Sequence, residues 1–81
     1  MLFRTLVKTQ EIEVEGQGYT VYYFEGRTLS GKQRYSSELA LGPGDCIIVD
    51  GNSLSDLECR VPRLMPATLR SRVLAARAVA A

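Results

Sequence analysis

The residues with the widest chemical range lie between positions 19 and 38. Tyr19, Val21 and Tyr23 alternate before a loop at 26–31, and Lys32 and Arg34 follow it. A hairpin closed by that loop sets Glu25 opposite Lys32, Tyr23 opposite Arg34 and Tyr22 opposite Tyr35. Opposed residues share a sheet face. One face then carries Tyr22, Phe24 and Tyr35 and is expected to be core. The other carries Tyr19, Tyr23, Lys32 and Arg34, with Glu25 and Glu38 among them. Rings interleaved with cations suit the stacking of single-stranded nucleic acid. Tyr and Arg are equally the residues enriched at protein–protein hot spots. A slip of one residue in this register exchanges the faces.

Other chemistries lack their parts. The chain has no His, which removes imidazole acid–base catalysis, His-activated nucleophiles and imidazole metal ligands. Two cysteines, Cys46 and Cys59, are too few for a four-thiolate zinc site within one chain. They fall opposite each other if a turn is centred at Asn52–Ser53, and are expected as reduced, core or half-buried thiols. The run Asp50-Gly51-Asn52-Ser53-Leu54-Ser55-Asp56 resembles a calcium loop only superficially. Leu54 stands at its fifth position and Val61 where the bidentate Glu belongs. Glu11, Glu13 and Glu15 lie on the polar side of an alternating segment and read as solvated. No Lys-Ser or Lys-Thr follows Gly42 and Gly44, so no phosphate loop is formed. The expectation is a protein that is not an enzyme, with no metal and no cofactor.

Charge is distributed unevenly along the chain. Residues 1–59 hold five basic and nine acidic groups, a balance of −4, whereas residues 60–81 hold five Arg and no acid, a balance of +5. The total of +1 conceals this asymmetry. The basic tail is expected to dock on the acidic body, or else to meet an acidic partner or a phosphate backbone. Arg70 and Arg77 lie beside a narrow apolar stripe of Leu69, Val73, Ala76 and Ala80, whose 4-3-4 spacing predicts a helix over 66–80. Val73 on that stripe is the candidate contact for a second helix in a homodimer.

The elements that must position these residues follow from glycine and proline. All seven Gly fall at or before position 51, which separates a turn-rich body, 1–61, from a helix-compatible end. Strict alternation at 11–15 predicts a strand, with Ile12 and Val14 on one face. The preceding segment, 2–9, carries apolar residues on both faces. Gly16-Gln17-Gly18 and Gly42-Pro43-Gly44-Asp45 predict turns. The run Cys46-Ile47-Ile48-Val49 predicts a short central strand, and 57–61 alternates as a fifth strand that stops at Pro62. The expected fold is mainly β: a five-stranded antiparallel twisted sheet or partly open barrel, of SH3-like or OB-like size, with one C-terminal helix, in a single domain 1–81.

An 81-residue chain buries a modest core, so covering a second apolar face by assembly is a natural remedy. No segment reads as a signal peptide or a membrane span, and the thiols fit a reducing compartment, so the expected location is cytoplasmic. The reading is a non-catalytic protein-interaction or assembly module, binding a protein partner or a second copy. The alternative is a small nucleic-acid-binding domain that uses the hairpin face and the C-terminal Arg residues. The interaction candidates are Tyr19, Tyr23, Lys32, Arg34, Arg70, Val73 and Arg77.

Overall fold

A computed structural model describes residues 4–80, with side chains as far as Arg72. Four strands, β1 (Arg4–Val14), β2 (Gln17–Arg27), β3 (Gln33–Gly42) and β4 (Asp45–Gly51), precede one helix, α1 (Leu54–Ala80). The strands form an open antiparallel sheet in the order β1-β2-β3-β4. The body is therefore mainly β as expected, but with four strands rather than five and without barrel closure.

Turn chemistry fixes the hairpins. Glu15 and Gly16 both take positive φ between Val14 and Gln17, the two-residue turn that matches strand twist. Pro43 and Gly44 join Gly42 to Asp45, with Gly44 at φ 72°. Pro presets the first turn position and Gly supplies the second. Between β2 and β3, Thr28 closes the loop. Its amide donates to the Lys32 carbonyl at 2.9 Å, and its Oγ1 accepts from the Lys32 amide at 3.2 Å.

The segment expected as the fifth strand is helical. Ser53 caps α1: its Oγ accepts from the Asp56 amide at 3.1 Å, and its carbonyl accepts from the Leu57 amide at 3.3 Å. Asp56 adds negative charge at the helix N-terminus. The apparent alternation at 57–61 is the start of an i, i+4 series, in which Leu57, Val61, Met65 and Leu69 are all buried. Each step of four overshoots a full turn by about 40°, so the stripe winds around α1 as it crosses the twisted sheet. Pro62 and Pro66 lie within the helix. Pro62 is exposed and Pro66 half-buried, so both rings lie off the fully buried stripe.

The core lies between α1 and one face of the sheet. Val14, Val21, Tyr23, Leu39 and Ile47 meet the helix stripe there. Fully burying each such side chain stabilises by about 1.5–3 kcal/mol. Among the described residues three ion pairs also join the helix to the sheet and its β1–β2 turn: Lys8–Glu58 at 3.6 Å, Arg70–Glu15 at 3.5 Å, and Arg72–Asp45. All are exposed, and such pairs contribute about 0–1 kcal/mol each. Apolar burial therefore holds the helix, and charge helps to set its register. Of the basic tail, Arg70 and Arg72 pair with carboxylates of the acidic body, in the sense its charge suggested, and Arg77 lies outside the described side chains.

Candidate interaction surface

The β2–β3 register decides which residues share a face. Tyr22 pairs with Glu38, Tyr23 with Ser37, Phe24 with Ser36 and Glu25 with Tyr35. This is three residues away from the register expected from a 26–31 loop, and an odd shift exchanges the faces. Gly26 does not open the loop; it is buried within β2, and the strand continues to Arg27. Tyr23, wholly buried, and Tyr19, half-buried against the core, therefore lie under α1. Lys32 is exposed in the loop, and Arg34 donates from Nη1 to Asn52 Oδ1 at 2.7 Å on the opposite face. The ring-and-cation platform is not assembled: Tyr19 and Tyr23 are separated from Arg34 by the sheet itself.

Tyr23 forms a different cluster. Its hydroxyl donates to Gln10 Oε1 at 2.6 Å, and Lys8 Nζ lies 5.3 Å from the ring centroid. Burial, followed by the nearby Glu58 carboxylate, pushes the Tyr23 phenol above its usual pKa. A phenol held protonated is no general base near neutral pH.

Arg70 is paired with Glu15. The side chains of Val73 and Arg77 lie outside the described residues. Cys46 and Cys59 are both free and exposed, one on β4 and one on α1. They do not face each other on adjacent strands, because residue 59 belongs to the helix. Among the described residues no three Cys, Asp or Glu side chains gather as a metal-binding group.

The sheet face away from α1 carries Tyr22 and Phe24, two of the three rings the sequence assigned to the core, whereas Tyr35 does pack against the core. Along β1 it presents Arg4, Leu6, Thr9, Glu11 and Glu13; along β2, Thr20, Tyr22 and Phe24. Along β3 and β4 it presents Arg34, Ser36, Glu38, Cys46, Ile48 and Asp50. Leu6 is 49% exposed, Tyr22 40% and Ile48 54%, as is the bulge residue Val7 at 40%. Arg4 arches over this face: its guanidinium carbon lies 4.0 Å from the Phe24 ring centroid, and Nη1 donates to Glu38 Oε1 at 2.5 Å. That bond to Glu38 raises the Arg4 pKa, with burial opposing it. Ser36 lies beside Phe24 in register, buried, and its Oγ has no hydrogen-bond partner among the described residues.

The chain matches no protein-family model, no curated protein and no solved structure.

The assignment of a site therefore rests on this face. A two-layer domain needs only one covered sheet face, and the other is ordinarily polar. Here apolar side chains on β1, β2 and β4 lie on the uncovered side, with one ion pair among them. The sequence held a signal for it. Residues 2–9 and 46–49 are apolar on both faces, the pattern of strands covered on both sides. That pattern suggested a central strand at 46–49, yet β4 is an edge strand with one face open. No described helix is long and apolar enough to cross a membrane.

Proposed function

We propose that the chain is a non-catalytic interaction module whose docking surface is the helix-free sheet face. The observation that carries this reading is the exposure of Leu6, Tyr22 and Ile48 on one face, beside the half-buried Phe24. Apolar side chains with aromatic rings and an Arg among them match the composition of an interface core. The expected partner is a protein surface, either another chain or a second copy. Dimerisation through the helix stripe has weaker support, because its first member, Leu69, is already buried against the chain's own sheet. The two exposed free thiols support a reducing, cytoplasmic setting.

The test is site-specific photocrosslinking in the source cells. A photoreactive residue replaces Ile48 or, as control, the exposed helix residue Arg63. Discrete adducts from position 48 and none from 63 are the expected result. Adducts from 63 alone, or from neither, would remove the sheet face as the docking surface.

A further inference from the structure

We infer that the occupant of the helix-free face is a second copy of this chain, packed sheet to sheet with its strands antiparallel to those beneath. The inference rests on the docking-surface reading above and names its partner.

Charge supplies the first argument. The end of the face next to the β2–β3 loop carries Arg4 and Arg34 in register across Gly26. The end next to the β1–β2 turn carries Glu11 and Glu13. Glu38 lies between and is held by Arg4, and Asp50 lies at the β4 rim of the basic end. The face thus carries both of its cations at one end, with Glu38 and Asp50 beside them, apolar side chains across the middle and only carboxylates at the other end. An isologous contact presents the same patch twice. A twofold axis between the sheets and along the strands sets basic end over basic end. An axis across the strands sets Arg4 of each copy over the Glu11 and Glu13 end of the other. Only the second arrangement complements the charge, and it stacks the apolar middles on each other.

Area supplies the second argument. The strands run to 11, 11, 10 and 7 residues. At ~3.3 Å per residue and ~4.8 Å between strands, the face measures roughly 600 Å². Full overlap of two copies would bury about 1,200 Å², the lower end of stable specific interfaces. Sheet faces packed about 10 Å apart are an established way to build a core, and this contact would cover Ile48 and Tyr22, which α1 leaves open.

The experiment is sedimentation equilibrium of the purified full chain up to about 1 mM, well above the micromolar limit that interfaces of this size reach. A monomer–dimer equilibrium is expected. Tyr22→Glu should abolish it while circular dichroism stays native. The pair Glu11→Lys/Glu13→Lys should weaken self-association at least tenfold, and so should Arg4→Glu/Arg34→Glu. Mixed one to one, these two double variants should form a heterodimer, since each supplies the charge that the other lacks. Circular dichroism of each double variant before mixing separates a lost contact from a lost fold. A monomer throughout, or a dimer indifferent to all three changes, would overturn the second copy as occupant. If crosslinks from position 48 then led to a different protein, the docking surface would stand and only its partner would change.

Discussion

The two faces of this sheet differ by what lies on them, and the difference separates folding from recognition. Under α1, Tyr23, Leu39 and Val21 are wholly buried, and the polar Ser37 among them donates to the Val49 carbonyl at 3.3 Å. On the far side, Ile48 and Leu6 are about half exposed, and Ser36 is buried with no partner for its hydroxyl among the described residues. Adjacent residues of one strand, Ile47 and Ile48, belong to the two regimes: one is 7% exposed and the other 54%. Side-chain type is the same; only the direction of the pleat differs.

Truncation on each face gives the largest test of that contrast. Leu57→Ala removes a fully buried side chain from the helix stripe and should destabilise the chain by about 2–5 kcal/mol, because it leaves a cavity that the packed sheet cannot refill. Ile48→Ala, measured where the chain is monomeric, should lie within about 0.5 kcal/mol of the parent. Urea unfolding followed by circular dichroism measures both. Comparable losses would mean that both faces belong to one core and would erase the distinction.

A medium-sized effect is expected where the covered face meets the helix start. A Cβ at Gly51 would lie 3.0 Å from the Leu57 side chain and 3.1 Å from Asp56 Oδ2. Glycine there lets the first turn of α1 sit directly on the end of β4. Gly51→Ala should cost about 1–3 kcal/mol through overpacking. The same change at Gly18 meets nothing within 4 Å and should cost less in the same urea titration. An equal cost at both positions would show that the helix start is not tightly seated.

What could be read from the sequence divides along the same line. Local signals were legible: the alternation at 11–15 and the Gly42-Pro43-Gly44-Asp45 turn. Each depends on neighbours in the chain. Pairing was not legible, because it depends on where a loop is centred. Gly26 has the residue type of a loop opener, but it lies within β2 between Arg4 and Arg34 in register, and Thr28 closes the loop instead. That displacement moved Tyr19 and Tyr23 into the core. The helix start left a local signal that the strand reading of 57–61 passes over. Ser53-Leu54-Ser55-Asp56 has the spacing of an N-terminal cap with an acid at its third residue, and Leu57, Val61, Met65 and Leu69 repeat every four residues. The alternation at 57–61 with its stop at Pro62 reads as a strand instead, yet α1 carries both Pro62 and Pro66 in its interior.

The smallest expected effect concerns a single proton on the covered face. Tyr23 is buried, its hydroxyl donates to Gln10, and its pKa is raised above the usual value near 10. The native state therefore keeps this proton after the unfolded chain has lost it. A raised pKa contributes stability that is fully present below the unfolded value and is lost as pH climbs through the folded one. Stability should accordingly decline from about pH 10 upward, where an unfolded phenol ionises. Tyr23→Phe removes the hydroxyl and should cost about 0.5–1.5 kcal/mol at neutral pH for the lost hydrogen bond. Because phenylalanine has no proton to lose, the gap between variant and parent should narrow as pH rises above 10. Urea midpoints at pH 7, 9 and 10.5 (all approximate working values around the phenol range) would measure the gap. A gap that stayed constant would mean that Tyr23 ionises alike in both states, and that the covered face is wetter beneath the helix than its burial implies.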